Sequence, residues 1–329
     1  MPLGLGLGIS KIKSLVSGLR VRFQGNATIT AALDGILREL SADFVSNGTV
    51  TAALEAIKLL DVDFSGDGTL TADLADLDPD YQAVLDYATL QGYILPSETV
   101  KTAQNNFFLD LKSFSLFSKL DSFSIFASDG DSSFALVDMK KLITKTAVNS
   151  PTFDSNIGFT GNGTSSYIDF NFSPANSGNY AISNSSVGVY YGNVLTRENN
   201  GIGLGLRQST NNNSTSVSPY NATEALLGVN NDLGFDLENY TKENGLFVVC
   251  RDNPTNYNFY LNGVLASNII ISEDSFLSTS NFFAFAFNTG SSAVRFSNDL
   301  IKFVFTGQSL NEIDNINLNI AFNNYLNSL

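Results

Sequence analysis

The chain of 329 residues contains no histidine, no tryptophan and a single cysteine. Without histidine, neither a Ser-His-Asp nor a Cys-His catalytic arrangement can form. Histidine-based zinc sites are excluded as well, and one cysteine cannot replace them. A lone cysteine also excludes an intramolecular disulfide. Cys250 stands in the apolar run LFVVCRD, which predicts a thiol packed inside a buried strand.

Basic residues are also scarce, with 18 Lys and Arg against 32 Asp and Glu, for a net charge of -14. Phosphate contacts need clustered cations, so nucleic acid is not expected as a partner. The one basic cluster, formed by Lys11, Lys13, Arg20 and Arg22, lies near the N-terminus. No segment reaches the length of a membrane span.

The start MPLGLGLGIS lacks the charged leader and cleavage site of a signal peptide, so we expect synthesis and folding in a cytoplasm. No Gly-rich loop with a lysine is present to hold a phosphate cofactor. Asp61, Asp63 and Gly66 resemble part of a calcium loop, but no Glu closes that loop. We therefore predict neither a cofactor nor a metal site.

Three related stretches near the N-terminus, FQGNATITAALDGI, FVSNGTVTAALEAI and FSGDGTLTADLADL, begin at Phe23, Phe44 and Phe64. In each stretch a Thr-apolar-Thr-Ala tetrad begins five positions after the Phe, and the apolar residues alternate with a period of two, which favours strands. A helix face can also be drawn through the first copy. A unit of about 20 residues cannot bury a core alone, so each copy must stack on its neighbours or on other chains.

Ahead of the repeats, Leu and Gly alternate, so that an extended segment would present a face of leucines and a face of bare backbone. Such a strand is suited to a groove in a partner protein. We predict that this segment docks the chain through Leu3, Gly4, Leu5, Gly6, Leu7 and Gly8.

Two helices are predicted after the repeats. Asp78 is the expected N-cap of the first, with Pro79 at its first position and Gly92 after its end. The second is expected to begin after Ser97. A further helix closes the chain, with Ser309 and Glu312 predicted as its capping box and Ile313, Ile316, Ile320 and Tyr325 as its apolar stripe.

From about residue 150, short apolar-alternating runs are separated by Asn, Gly and Ser, and 37 of the 329 residues are Asn. Asn262-Gly263 between two such runs predicts a β-hairpin. FFAFAF, which is apolar on both faces, is expected between two packed sheets. The fold class predicted is mainly β: a β-rich N-terminal repeat region, a short helical linker and a C-terminal β-sandwich with a closing helix.

Glycoside hydrolysis would require two carboxylates flanking the scissile bond. Alternating acids of the form Glu-x-Asp-x-x-Glu on one strand would be the signal, and none occurs. Asp232, Asp236, Glu238 and Glu243 fall in a stretch that is predicted to be a loop. The prediction is therefore that the chain is not an enzyme.

Sugar binding needs aromatic faces for the rings and amides or carboxylates for the hydroxyls. Predicted loops offer both, and we take as candidate carbohydrate-binding residues Tyr180, Tyr220, Asn221, Tyr240, Asn256 and Tyr257. Ordinary loop tyrosines and a general richness in Asn are the alternative explanation for each of them.

Two stretches resemble known proteins. GYILPSETVKTAQNNFFLDLKSFSLFSKLDSFSIFASDGDSSFALVDMKK, running into NSPTFDSNIGFTGNGTSSYIDFNFSP, resembles a module of bacteriophage virion proteins, common in phages of the Bacteroidetes group. NYNFYLNGVLAS and the closing FTGQSLNEIDNINLNIAFNNYL resemble the concanavalin-like, or laminin-G-like, lectin sandwich of the same proteins. The resemblance implies a virion spike or fibre with a lectin-like head that binds host surface carbohydrate.

The expected organisation follows from this resemblance. Residues 1–22 would dock the chain to another virion protein, 23–80 would form the spacer, 81–149 would be a helical linker and the start of the head, and 150–329 would be the head. The protein would lie on the virion surface after assembly in the bacterial host cytoplasm. A decoration or fibre subunit without an external ligand is the first alternative, and a glycan-active enzyme is the second.

Self-association is also expected, because repeats too small to fold alone gain a shared core by association. A homotrimer is favoured, with a dimer as its main competitor.

Overall fold

The computed structural model describes the backbone of seven strands between residues 9 and 74, and it describes residues 77–193, 201–208, 213–221, 223–232, 234–240 and 243–329 in full. The chain divides into two compact units, Met1–Leu77 and Asp78–Leu329. The strands of the first unit are β1 (Ile9–Ser10), β2 (Leu19–Phe23), β3 (Ala27–Leu33), β4 (Leu37–Phe44), β5 (Gly48–Leu54), β6 (Ile57–Phe64) and β7 (Thr69–Leu74).

These seven strands alternate between two parallel sheets, one in the order β1-β3-β5-β7 and the other in the order β2-β4-β6. Equivalent positions of the three copies lie in register: Thr28 pairs with Thr49, and Thr49 with Thr69. In the second sheet Phe23 pairs with Phe44, and Phe44 with Phe64. This is the topology of a two-sheet β-solenoid, and the strand interpretation of the repeats is confirmed.

The helices of the second unit are α1 (Pro79–Gln91), α2 (Glu98–Ser113), α3 (Ser132–Ala135) and α4 (Glu312–Leu326). The predicted ends of the first helix are confirmed, since the Asp78 carboxylate accepts from the Asp80 amide and Gly92 is left-handed at φ 77°. Ser97 caps the second helix, also as predicted. None of the helices in the described part of the chain is both long and apolar enough to cross a membrane.

The described residues of this unit also form nineteen strands. Those before residue 170 are β8 (Leu120–Ile125), β9 (Val137–Asp138), β10 (Ile143–Thr144), β11 (Thr146–Val148), β12 (Thr152–Asp154), β13 (Gly158–Thr160) and β14 (Tyr167–Asp169). Those after it are β15 (Ser185–Asn193), β16 (Leu204–Leu206), β17 (Ser214–Pro219), β18 (Glu224–Asn231), β19 (Asp236–Asn239), β20 (Gly245–Arg251), β21 (Asn256–Leu261), β22 (Val264–Ile270), β23 (Phe283–Ala284), β24 (Phe287–Asn288), β25 (Ala293–Val294) and β26 (Leu300–Gly307).

Two large sheets form a sandwich. One follows the order β12-β13-β26-β15-β20-β21-β22, with β8 also paired to β26, and the other follows β11-β14-β23-β16-β17-β18-β19. One buried apolar cluster lies between them and takes Val189, Phe247 and Phe259 from the first sheet and Leu204 and Leu227 from the second. Every residue from Phe282 to Phe287 is buried, as predicted for FFAFAF. The predicted mainly β fold, with a sandwich and a closing helix, is confirmed.

The hairpin predicted at Asn262-Gly263 joins β21 to β22, and both residues have positive φ, at 52° and 82°. These values are those of a type I′ turn, for which Asn and Gly are the favoured residues. Cys250 is buried in β20, as predicted, and burial raises the pKa of its thiol to about 12.

The compact unit that contains the sandwich begins at Asp78, so it includes the segment predicted as a helical linker and the start of the head. The reason lies in the packing: Phe107 of α2 contacts Phe303, Phe322 and Tyr325 at ring-centroid distances of 5.7, 5.8 and 6.3 Å. Strand β8 pairs with β26 inside the first sheet. The segment 81–149 is therefore built into the same compact unit as the sandwich.

Two predictions for the last helix are wrong. Its capping box is formed by Asn311 and Asp314, because these two residues bond each other's backbone amides. The residues predicted as its buried stripe, Ile313, Ile316 and Ile320, are exposed, whereas Tyr325 is buried. The helix instead packs through Leu318, Ala321, Phe322 and Tyr325.

The matched registers of the solenoid predict that one copy can be removed without disturbing the others. Deleting residues 44–63 takes one strand from each sheet and leaves the same pairs of equivalent residues opposite one another. We expect this variant to keep the protease resistance and the far-UV circular dichroism per residue of the parent chain. Deleting residues 44–53 removes a strand from one sheet only, and should make the N-terminal unit sensitive to protease. Equal behaviour of the two deletions would show that the register does not hold the unit together.

Candidate functional site

The six candidate carbohydrate-binding residues are not brought together by the fold. Asn256 and Tyr257 lie at the end of the sandwich where β18 finishes at Asn231, since Arg251 bonds both the Asn256 carbonyl and the Asn231 side chain. Tyr220, Asn221 and Tyr240 lie at the opposite end, where β18 begins at Glu224. The eight residues of β18 separate these ends by about 23 Å.

Three of the predicted tyrosines are buried and present no ring face to solvent: Tyr180, Tyr240 and Tyr257. The Tyr180 hydroxyl donates to Asn230 Oδ1 at 2.8 Å, and burial raises the pKa of Tyr180 to about 12. Tyr257 lies within β21 and not in the expected loop, and its hydroxyl donates to Asp236 Oδ2 at 3.0 Å. Tyr180 and Tyr240 lie in loops, as predicted, but the rings of all three tyrosines belong to the core between the sheets.

Tyr220 and Asn221 are half-buried and belong to a turn. Tyr220 packs against a small apolar cluster containing Leu226 and Phe287. The side-chain carbonyl of Asn221 accepts from the amides of Thr223 and Glu224 at 2.8 and 2.9 Å, which holds the turn closed. These contacts give both residues a structural role at this end of the sandwich.

The other end is organised by Arg251, which is fully buried. Its guanidinium donates to the carbonyls of Val229 at 2.8 Å, Ile271 at 3.1 Å and Asn256 at 3.2 Å, and to Asn231 Oδ1 at 2.9 Å. Burial lowers the pKa of Arg251, and the nearby Glu273 carboxylate opposes this shift. A single side chain thus joins β18, the start of β21 and the segment after β22.

We call two segments beside this side chain the Arg251 rim: Asp252–Asn256 and Ser272–Phe276. They are joined by the Glu273 amide, which donates to the Pro254 carbonyl at 2.9 Å. In the first, Asn253 Oδ1 accepts from the amides of Thr255 and Asn256, both at 3.0 Å, which closes a tight turn. In the second, Glu273 accepts from the Ser183 hydroxyl at 2.6 Å. The rim is therefore fixed by bonds within the Asn253 turn and by the bond to Ser183, as well as by Arg251.

The rim presents the kinds of group that bind sugars. Phe276 is 42% exposed, which leaves much of its ring open to solvent. Four polar residues of the two rim segments are also exposed: Asp252, Thr255, Ser272 and Ser275. Within the described residues, one oxygen of the buried Asp274 carboxylate, Oδ2, has no hydrogen-bond partner. An aromatic face, hydroxyls and carboxylates on one rigid edge can together bind a polyhydroxylated ligand.

Asp236 and Glu238 lie on β19 and not in a loop, which corrects that prediction. Burial raises the pKa of Asp236, and hydrogen bonds from Tyr257 and Asn231 oppose the shift. In the fully described segments of the chain, no group of three or more His, Cys, Asp or Glu side chains is placed to hold a metal ion. The predicted docking segment, Leu3 to Gly8, lies outside the described residues and stays a prediction.

No protein-family model and no curated protein match the chain. Among solved structures it is similar to a Trypanosoma rangeli sialidase in complex with sialic acid, at 12% identity and a TM-score of 0.45, over 63% of this chain and 33% of the sialidase. It is also similar to a protein described as HCR/D W1238A mutant, at 16% identity and a TM-score of 0.41, over 63% of this chain and 51% of the other. A third match is the Ruminococcus gnavus IT-sialidase CBM40 bound to α2,3-sialyllactose, at 12% identity and a TM-score of 0.32, over 41% of this chain and 82% of that domain.

These matches contradict the prediction that the chain is not an enzyme. Several of the similar structures are sialidases, one of them a covalent intermediate. That prediction is withdrawn. At identities of 12–13% and TM-scores below 0.5, the likeness to these sialidases assigns no activity to the chain either.

Sequence reasoning missed the rim because its organising residue looked ordinary. Arg251 follows Cys250 at the end of an apolar run, and a charged residue in such a place is buried only when it is well bonded. An arginine at the end of a buried apolar run was therefore the feature of the sequence that indicated a bonded, buried charge. Phe276 and Asp274 carried no signal in the sequence, because only the fold brings their segment beside the turn at Asn253.

Replacing Arg251 by Met is expected to lower the free energy of unfolding by about 3 kcal/mol or more, because three buried carbonyls lose their donor. Arg295→Met is the matched control, since Arg295 is exposed, and its effect should stay within about 0.5 kcal/mol. Urea denaturation followed by tyrosine fluorescence measures both. A similar small loss for the two variants would mean that Arg251 does not hold the rim.

Proposed function

We propose that the Asp78–Leu329 unit recognises host surface carbohydrate through the Arg251 rim. The observation that supports this most directly is the exposed ring of Phe276 on a rigid edge that also carries hydroxyls and carboxylates. Sugar rings pack their apolar faces on aromatic side chains, and their hydroxyls bond to such polar groups.

The charge of the rim narrows the ligand class. Asp252, Glu273 and Asp274 lie within it, and the rim segments contain no Lys or Arg. Acidic sugars would be repelled by these carboxylates, so neutral glycans are the proposed ligands. Because each rim has one exposed aromatic residue, the affinity of a single copy is low. Several copies that bind together supply the avidity.

We place this unit on the virion surface, as the head of a bacteriophage spike or fibre that is assembled in the bacterial host cytoplasm. The resemblance in the sequence carries this proposal, and the solenoid supports it. Each copy adds one strand to each sheet, so each copy extends the stack by about 4.8 Å. A stack of this kind suits a spacer between a docking segment and a head. Self-association, predicted from the repeats as a homotrimer, is part of the proposal.

A second proposal has its own support. The burial of Tyr180, Tyr240 and Tyr257 removes half of the residues chosen from the sequence as sugar contacts. A decoration or fibre subunit without an external ligand would need none of them. The two proposals differ in whether the rim binds anything outside the particle.

Binding by the full chain to neutral glycans extracted from the host surface distinguishes them. Phe276→Ala should weaken binding about tenfold, the upper end of what an aromatic contact contributes. Tyr220→Ala, at the opposite end of the sandwich, is the control and should bind as the parent chain does. Loss of binding in the Tyr220 variant alone would move the site to the other end. No binding by the parent chain in any oligomeric state would favour the decoration subunit.

Location on the particle is tested separately. The full chain should be found in purified virions, and a chain without residues 1–9 should fold but fail to incorporate. Gly6→Val should weaken incorporation, because a side chain would block the close approach of two backbones. Normal incorporation of the truncated chain would place docking in the repeats instead.

A further inference from the structure

Asp138 of β9 and Lys145, the residue after β10, form an ion pair that is closed off from solvent. Lys145 Nζ lies 2.7 Å from Asp138 Oδ2, and both side chains are 0% exposed. In the described part of the chain, no other ion pair has both of its side chains fully buried. Removing two charges from water is costly, and their mutual attraction offsets that cost only in a favourable geometry. A reaction that neutralised both groups would remove this cost.

The surroundings of Lys145 favour its neutral amine, which is the nucleophilic form of a lysine. Burial lowers the pKa of Lys145, and the Asp138 carboxylate opposes this shift. The centroid of the Phe170 ring lies 4.7 Å from Nζ, so one side of the amine meets an apolar surface. Transfer of one proton from Nζ to Asp138 Oδ2 leaves a neutral amine beside a neutral carboxylic acid.

The two oxygens of the Asp138 carboxyl group are held by different donors. Oδ1 accepts from the backbone amides of Lys140 and Lys141 at 3.1 and 3.0 Å. Two amides at this distance stabilise a negative charge that develops on the oxygen. Oδ2 accepts instead from the hydroxyl of Ser122, on β8. The carboxyl carbon is therefore flanked by one oxygen that can hold charge and one that can receive protons.

Ser122 also connects the amine to the second of these oxygens. Lys145 Nζ donates to Ser122 Oγ at 3.4 Å, and the Ser122 hydroxyl donates in turn to Asp138 Oδ2. A proton that leaves Nζ can therefore reach Oδ2 through the hydroxyl, which gives one proton as it takes another.

We propose that Lys145 and Asp138 become joined by an intramolecular isopeptide bond between Nζ and Cγ. The neutral amine, having given one proton to Oδ2, attacks Cγ. The Nζ–Cγ bond forms, and an electron pair of the carbonyl bond moves onto Oδ1. A second proton then passes from Nζ through Ser122 to Oδ2. The Cγ–Oδ2 bond breaks, the carbonyl bond to Oδ1 forms again, and Oδ2 leaves as water. The ion pair supplies both protons, so no other reactant is consumed.

Folding supplies the proximity for this reaction. Ile143 pairs with Asp138 in the β9–β10 hairpin, and the Lys145 amide donates to the Leu136 carbonyl at 2.9 Å. The hairpin thus holds the amine against the carboxyl group, which makes the attack intramolecular. The bond would close this hairpin covalently, and it requires neither the Arg251 rim nor a partner.

The mass of the denatured full chain tests the bond. A chain that contains it should be lighter than the mass calculated from its sequence by one water, about 18 Da. An ordinary ion pair leaves the mass unchanged. A parent chain with its full calculated mass would therefore overturn the proposal.

Tryptic peptides show where the water was lost. Trypsin cuts after Lys140 and Lys141, so Asp138 and Lys145 fall on different peptides unless they are bonded. The bond also blocks the cut after Lys145, so the free peptide LITK, residues 142–145, should be absent. A succinimide at the Asp129-Gly130 pair would also lose water, but it would leave LITK free, and that result would refute the cross-link.

The pair Lys119 and Asp314 is the internal control for burial. Lys119 Nζ lies 2.6 Å from Asp314 Oδ2, but the Lys119 side chain is 23% exposed. The peptides that carry these two residues should stay unlinked in the same digest. A cross-link at both pairs would show that closeness alone is sufficient, and would contradict the role given to burial.

Two variants test the residues of the reaction, and the denatured mass can be read whether or not they fold. Lys145→Met should have its full calculated mass, and a loss of water from it would place the reaction elsewhere and overturn the proposal. Ser122→Ala keeps the amine and the carboxyl group but removes the hydroxyl. The amount of free LITK at a fixed time after synthesis should then rise at least about tenfold. Equal linkage in this variant and the parent chain would overturn the proton relay.

Discussion

The Arg251 rim, at one end of the sandwich, depends on the hydrogen bonds of the buried Arg251 guanidinium. Burying a guanidinium is costly unless its N–H groups are hydrogen-bonded. The N–H groups of Arg251 donate to carbonyls from several separate segments of the chain. The same donors satisfy carbonyls that would otherwise be buried without a partner. The same hydrogen bonds therefore satisfy both the guanidinium and the carbonyls. If the turn at Asn253 and the segment at Glu273 moved apart, the guanidinium would become exposed or lose its acceptors.

The architecture of the chain was largely accessible from its sequence. Period-two patterns and local signals act over short distances, which is why the repeat strands, the helix from Asp78 to Gly92, the Asn262-Gly263 turn and the burial of FFAFAF could all be predicted. The failures concern which side of an element faces the core. The last helix has isoleucines on one side and Leu318, Phe322 and Tyr325 on another, and only the position of Phe107 and Phe303 decides that the aromatic side is buried.

Candidate binding residues were harder to predict for a related reason. A tyrosine among Asn and Ser residues looks exposed when only the sequence is known. Its hydroxyl can nevertheless be buried if it donates to an acceptor in the core, as Tyr180 does to Asn230 and Tyr257 does to Asp236. These acceptors lie 50 and 21 positions away along the chain. Contacts of that range depend on sheet topology, and so do the neighbours of Phe276.

The in-register stacking of the repeats has a consequence for heredity. Copies that occupy equivalent places in two parallel sheets are encoded by similar stretches of DNA, and similar neighbouring stretches recombine unequally. A gain or loss of one whole copy in such an event leaves every strand opposite its equivalent. The gene can therefore change the length of this region in single steps, while the sandwich and its rim are inherited unaltered.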